Sequence, residues 1–331
     1  MFPKITVIIP VYKVEVFLCD CLDSLLSQTF REWIAVCVND GSPDNSGRIL
    51  DEYAKKDERI KVIHQNNKGC SEARNAAYPY INSPYVMFLD PDDMLHHHAL
   101  EYLYKNMNNC QADIIWFDTL LFQENSKPTG CKYEYSNKLV YYKNPFQFYA
   151  IKNKLTSSKK TRMPGVVWNK IYKSEFVKNT PFAPGIFPCE DNLFTLEISA
   201  KVTRIAHLKQ KLYFYRLRST SIMRTLTIEK EKTNLRKQLL WYPEIKKRLQ
   251  DQNCDLKTMN LFEIYLAENV FFKAIFRPFI KKRLGCETKS FVNQLITSDQ
   301  FDFNKMKMKF KIILFLYKHN MKLLTKLLCY I

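Results

Sequence analysis

Asp90, Asp92 and Asp93 stand in one turn, Asp90-Pro91-Asp92-Asp93, directly after the apolar run Tyr85-Val86-Met87-Phe88-Leu89. Three carboxylates this close repel one another unless a cation offsets them. Oxygen ligands suit a hard divalent ion, Mg2+ or Mn2+, whose remaining positions are commonly filled by substrate phosphates and water. The same acids would also serve as favourable charges at the start of a helix beginning near Met94. Taken alone, the turn supports both readings equally. His96, His97 and His98 follow it, but consecutive side chains on a helix diverge by about 100° and cannot ligate one ion together. A solvated helix start is expected there.

The elements that must hold this turn alternate along the first hundred or so residues. A buried-type strand at 5–11 is followed by a helix whose Leu18, Leu22, Leu25 and Leu26 recur at helical spacing. Strand 34–38 comes next, then a helix capped by Ser42 or Asp44 with Ile49, Leu50 and Tyr53 on its core face, then strand 60–63. The rhythm repeats with helix 71–78, strand 85–89, helix 94–107 and strand 114–117. Strands separated by single helices imply an α/β fold with a mostly parallel, Rossmann-like sheet covered on both faces. In open sheets of this kind ligands bind beyond the carboxyl ends of the strands. The polar loops fall there: Pro10 to Tyr12, Asn39-Asp40-Gly41-Ser42, Gln65 to Ser71, and the acidic turn. Neither G-x-G-x-x-G after the first strand nor G-x-x-x-x-G-K-[ST] anywhere occurs in a chain with seven glycines. A bound nucleotide diphosphate would therefore have its charge met by a metal and cationic side chains.

Asp40, at the end of a second strand, and Asn66-Asn67-Lys68-Gly69 with Ser71-Glu72-Ala73-Arg74-Asn75, at the end of a third, favour the metal reading of the acidic turn. Four ordered motifs then carry a family likeness: Val7-Ile8-Ile9-Pro10-Val11-Tyr12, Val38-Asn39-Asp40-Gly41-Ser42, Asn67-Lys68-Gly69 with Ala73-Arg74-Asn75, and Phe88-Leu89-Asp90-Pro91-Asp92-Asp93. Together they resemble the family 2 glycosyltransferases of GT-A fold that build bacterial surface polysaccharides. A chance match to one motif is easy; to four in order it is not.

The resemblance implies a nucleotide-sugar donor, most often a UDP-sugar, and a saccharide or lipid-linked acceptor. It places Asp40 on the base or ribose, Asp90 on the ribose, and Asp92 on the metal with Asp93 a weaker ligand. Lys68 and Arg74 would lie near the base and diphosphate, with the loop of Pro10 and Tyr12 also on the donor side. Glu190-Asp191, within Phe187-Pro188-Cys189-Glu190-Asp191-Asn192, resembles the family's acidic pair at a helix start. By that likeness Asp191 is the general base of an inverting transfer and Glu190 the alternative. Many members have Gly where Cys189 stands, which leaves the choice within the pair open, and both acids would also suit a plain helix N-terminus. Val167-Trp168-Asn169-Lys170-Ile171-Tyr172 matches a stretch that borders the acceptor, so Trp168 would stack on a sugar and Lys170 line that side. Leu212 to Arg218 also matches, and Arg216 or Arg218 would donate to the diphosphate. Core packing with charged ends is the other reading of both stretches. The likeness runs from about Ile5 to Met223.

A transferase domain over residues 1–225 and a basic helical extension over 226–331 follow, with irregular structure over the site mouth from 127 to about 162. The chain has 331 residues, 46% hydrophobic and 25% charged, a composition that suits a folded globular body. No uncharged apolar run approaches the roughly 18 to 20 residues that span a bilayer. The opening strand lacks the features of a secretion signal, and the ten scattered cysteines form no C-x-x-C pair. A cytoplasmic protein with reduced thiols is expected. Residues 1–100 carry 10 lysines and arginines against 14 acids, whereas the whole chain carries 51 against 33 for a net +18, so the basic surface lies in the later part. From Lys305 to Ile331 there are seven lysines and no acid, with Lys311, Lys318, Lys322 and Lys326 on one arc of a helical wheel. That pattern fits either a peripheral helix on the anionic cytoplasmic face of the inner membrane or a terminal helix packed on the domain.

The charge alone would also suit an inactive, transferase-like protein that binds membrane or nucleic acid. No nucleic-acid motif accompanies it, so no nucleic-acid partner is expected. A sugar nucleotidyltransferase would carry a glycine-rich, arginine-containing loop where Pro10-Val11-Tyr12-Lys13 stands.

Overall fold

Seven consecutive buried residues, many of them β-branched, make Ile5–Val11 a strand that only a sheet covered on both faces can accommodate. The computed structural model describes residues 2–128, 139–142, 165–186 and 190–218, together with 247, 250 and 251. The chain divides into two compact units, Met1–Arg224 and Thr225–Ile331. The fold that follows is that of the first.

Strand β1 (Ile5–Val11) sits between β2 (Trp33–Asp40) and β4 (Tyr85–Phe88), and β3 (Ile60–Gln65) lies outside β2. All four run parallel. Beyond β4 comes β8 (Lys170–Lys173), antiparallel to both β4 and β6 (Ile114–Gln123). The long β9 (Ile205–Leu217) runs parallel to β6. Its first half also pairs with β7 (Leu139–Tyr142), and its second half with the two-residue β5 (Met94–Leu95), both antiparallel. The described residues thus form a nine-stranded, mixed sheet.

Helix α1 (Glu15–Leu26) buries Leu18, Leu22 and Leu25, and α4 (Ala99–Asn109) buries Leu100, Leu103 and Met107. Around them lie α2 (Ser46–Lys56), α3 (Cys70–Ala76), α5 (Ser174–Lys178) and α6 (Glu190–Lys201). Ile5, Val7, Ile9, Leu22, Leu25, Met87, Leu103 and Ile115 are among the residues of one continuous core cluster. No helix among the described residues is long and apolar enough to cross a membrane.

Three expectations change. The helix expected over 94–107 begins only at Ala99, because Met94 and Leu95 pair with Phe214 and Tyr213, and the Leu95 N–H donates to Ser24 Oγ (3.1 Å). Sheet pairing overrides helical periodicity there. The three histidines precede this helix, with His96 half-buried against Phe214 and hydrogen-bonded through its backbone to Leu212. Neither Ser42 nor Asp44 caps α2, which starts at Ser46. Asp44 instead accepts N–H bonds from Ser46 (3.1 Å) and Glu15 (3.2 Å), tying the starts of α1 and α2 together. The stretch expected to be irregular from 127 onward contains β7, whose register with β9 supplies regular backbone bonds. The basic face expected from Lys305 onward lies outside the described residues.

Candidate active site

Because β1 to β4 are parallel, their carboxyl ends open on one edge of the sheet. Asp40 is the last residue of β2 and is 3% exposed. Its Oδ1 accepts from Gln65 Nε2 (2.7 Å) and the Lys68 N–H (2.8 Å), and its Oδ2 from the Gly69 N–H (2.8 Å). Asp40 therefore shapes the loop after β3. Gly41 makes the close approach possible, since its φ is +64° and a Cβ there would lie 2.7 Å from the Asn67 nitrogen. The Lys68 residue is exposed at the same loop. Pro10 is buried within β1, whereas Tyr12 is 44% exposed, with Lys13 Nζ 5.3 Å from its ring centroid.

Arg74, on α3, is 3% exposed and gathers the acids of two distant segments. Its Nη1 lies 2.6 Å from Asp191 Oδ1 and 4.0 Å from Glu190 Oε1, and its Nη2 lies 3.6 Å from Asp90 Oδ1. The guanidinium also lies over the Phe182 ring, 4.9 Å from its centroid. Phe182 is held there by Asn75, whose amide donates to the Phe182 carbonyl (2.9 Å) and accepts its N–H (2.8 Å). One cation thus faces three carboxylates. Burial, with Asp191's charge adding to it and Arg74 opposing, pushes the Glu190 carboxyl up to about 7. Burial likewise raises Asp90 to about 7, with Arg74 opposing and Asp92 and Asp191 adding to the rise.

The acidic turn splits in two. Asp93 is 1% exposed and faces inward, accepting the Tyr213 hydroxyl (2.8 Å) and the Arg216 N–H (2.7 Å). This corrects its expected role as a ligand: both of its oxygens fasten the turn to β9. Asp92 stays at the surface of the site, with Oδ2 2.9 Å from Arg218 Nε, an ion pair in which the N–H is not aimed at the oxygen. Arg216 is also corrected. Its guanidinium donates to the Asp92 carbonyl (2.9 Å), the Glu124 carbonyl (3.0 Å) and Asp20 Oδ2 (2.7 Å), and it is sandwiched against Phe17 and Phe122. It clamps the turn and is 4% exposed.

Trp168 is 6% exposed and stacked on Tyr213 (centroids 4.5 Å) and Tyr215 (5.3 Å), so the core reading holds for it and its faces are not offered to a sugar. Lys170 is 1% exposed, donating to the Val166 carbonyl and to Asn169 Oδ1 (2.8 Å). Burial draws its ammonium down to about 7 against the pull of Asp191's charge. The segment leading to it is pressed against α6, because a Cβ on Gly165 would lie 2.0 Å from Asn192 Oδ1.

The sequence pattern described as "Glycosyl transferase family 2" matches residues 6–170, the span that holds Asp40, Arg74, Asp90 and Asp92. The chain belongs to glycosyl transferase family 2. It is 34% identical to glycosyltransferase GlyA of Streptococcus pneumoniae over 226 residues, 68% of this chain and 32% of that protein. It is 32% identical to the uncharacterized glycosyltransferase EpsJ of Bacillus subtilis, over 67% of this chain and 63% of that one. The chain thus spans about a third of the first relative and under two thirds of the second. The crystal structure of S. aureus TarS 1–349 with UDP-GlcNAc superposes with a TM-score of 0.64 at 23% identity, covering 88% of this chain and 79% of that one. That likeness establishes the GT-A fold.

In this family 2 chain the residues fit a divalent ion that arrives with its ligand. Asp92 Oδ1 has no protein hydrogen bond among the described residues, and Asp90 adds charge beside it. No cluster of three or more His, Cys, Asp or Glu among the described residues forms a ready cage. Phosphate oxygens and water would have to complete the shell. Sequence reasoning missed Tyr213, whose hydroxyl accepts the Asp90 N–H (3.2 Å) while donating to Asp93, and Phe182 beneath Arg74. Tyr213 stood inside a matched stretch and carried a signal. Phe182 carried none, being 107 residues from the Asn75 that holds it.

Proposed function

We propose that this chain is an inverting glycosyltransferase that moves a sugar from a nucleoside diphosphate donor, a UDP-sugar, to a hydroxyl of a saccharide or lipid-linked acceptor in surface polysaccharide synthesis. The observation that carries the reading is the convergence of Asp90 and the Glu190-Asp191 pair on buried Arg74, beside a loop ordered by Asp40. A solved neighbour that holds UDP-GlcNAc supports the donor class.

On this reading the loop after β3 and Tyr12 receive the nucleoside, Asp90 takes the ribose, and Arg74, Lys68 and Arg218 face the diphosphate. Asp92 would hold Mg2+ or Mn2+, which when bound withdraws charge from the departing diphosphate. Asp191 accepts the acceptor's hydroxyl proton as that oxygen bonds to the anomeric carbon. The bond from that carbon to the diphosphate oxygen breaks, and the nucleoside diphosphate leaves with the electron pair. Glu190, whose carboxyl burial raises to about 7, would be the alternative proton acceptor only once ionised. On sequence grounds the basic segment from Lys305 to Ile331 rests on an anionic membrane surface at the cytoplasmic face.

A panel of UDP-, GDP- and dTDP-sugars, incubated with the full chain, Mn2+ and a lipid-linked acceptor pool, tests the proposal. Nucleoside diphosphate release from a UDP-sugar that depends on the acceptor is expected. Release from none of them under any metal condition would contradict it.

A further inference from the structure

Arg74 holds the carboxylate assigned to proton removal at 2.6 Å, closer than either of its other acidic neighbours. A carboxylate oxygen bound this closely by a guanidinium has that lone pair occupied, so the acceptor's hydroxyl cannot donate to it until the guanidinium moves. Arg74 also retains a binding direction of its own. Its Nε is buried without a hydrogen-bond partner, a costly condition that an incoming anion would relieve. Both of its amino groups are shared among carboxylates at unequal distances rather than locked in one two-pronged pair. Its platform is fixed: Asn75, one residue along α3, ties down the Phe182 ring under the guanidinium.

Resting on the transferase reading above, we propose that Arg74 is a latch coupling the two substrates: without donor it ties up Asp191, and the donor's diphosphate draws it off and frees that carboxylate for the acceptor. Arg74 is a positioning residue for the base and a ligand of the donor in turn. Binding is therefore ordered, donor before acceptor, and the site guards against acting on an acceptor with no donor present. Linkage follows from the exchange. Whatever weakens the Arg74–Asp191 pair must strengthen the hold on the diphosphate, since the pair must be given up on binding.

The test uses the full-length protein with Mn2+, and titrates UDP and, separately, uridine by calorimetry. Asp191→Asn preserves shape and removes the charge that holds Arg74. It is expected to tighten UDP by at least about threefold while leaving uridine unchanged, since uridine has no diphosphate. In the Arg74→Lys background, where the shorter cation cannot span the same partners, Asp191→Asn is expected to give no such gain. Arg74→Lys also keeps the buried positive charge, which protects folding, and a thermal melt of each variant verifies it.

Two results would overturn the latch: UDP affinity unaltered or weakened by Asp191→Asn, or an equal gain in both Arg74 backgrounds, which would mean simple charge repulsion. Failure of the wild-type protein to bind UDP at all would instead count against the transferase reading itself.

Discussion

At the level of single side chains, neighbours in the acidic turn have opposite duties. Asp92 keeps an oxygen open, while Asp93 spends both of its oxygens on Tyr213 and Arg216. Replacing Asp93 by Ala strips partners from a buried hydroxyl and a buried N–H, each worth about 1–3 kcal/mol when left unsatisfied. A loss of roughly 2–4 kcal/mol in urea unfolding is expected for Asp93→Ala, and a change under about 1 kcal/mol for Asp92→Ala. The sequence could not separate the two, since both follow one strand in one loop. Which carboxylate turns inward is decided by Tyr213 and Arg216, about 120 residues away. Asp40, Arg74 and Asp191 could be singled out in the sequence because their motifs are local, and the structure brings Arg74 and Asp191 together. For Trp168 and Arg216 the sequence left core packing and ligand contact open, because ring stacking and a guanidinium clamp leave no local mark. Glu190 offers a second expectation at this scale. Burial raises its carboxyl to about 7, so its favourable share of stability is complete below the ordinary carboxylate range and is lost as pH rises towards 7. Glu190→Gln should therefore gain stability relative to wild type between pH 5 and 7.5 in paired urea titrations.

Among the elements, β2, β1 and β4 were readable because strands buried on both faces are largely apolar, and the edge strand β3 from the short run Ile60 to Ile63. The antiparallel half was not. β5 is two residues long, and β8 joins β4 to β6 with only four, so neither leaves a periodic signature. What holds this half together is Asp113, which precedes β6. It accepts Lys173 Nζ at the end of β8 (2.7 Å), and the Thr203 N–H (2.9 Å), Thr203 hydroxyl (3.1 Å) and Arg204 N–H (3.1 Å) before β9. Burial opposes its charge, but Lys173 and these donors together keep its carboxyl below the usual range. Its stabilisation is complete above the ordinary carboxylate range and falls away as pH drops through its lowered value. Asp113→Ala is expected to cost about 2–4 kcal/mol at pH 7 and distinctly less near pH 3, measured by chemical denaturation at both. Gly165 acts between elements too. With Asn192 Oδ1 in the place of a Cβ, Gly165→Ala must turn the Asn192 side chain aside. Because a side-chain tip can give way, a loss under about 1 kcal/mol in urea unfolding is expected, with UDP affinity within about twofold by calorimetry.

Over the whole molecule, a net charge of +18 contrasts with a site lined by acids. Asp40, Asp90, Asp92, Glu190 and Asp191 all belong to the sheet edge and to α6, and of the described cations beside them Arg74 is buried, Arg218 half-buried and Lys68 exposed. An isolated acidic cleft would repel a diphosphate, and on the proposed reading a divalent ion at Asp92 would offset that charge. The test is UDP titration of the full-length protein by calorimetry with Mn2+ and with EDTA, for wild type and Asp92→Ala. Binding in Mn2+ that weakens at least tenfold in EDTA, and equally in Asp92→Ala, is expected. Equal affinity in all four conditions, or no binding in any, would contradict a metal-assisted nucleoside diphosphate site at this turn.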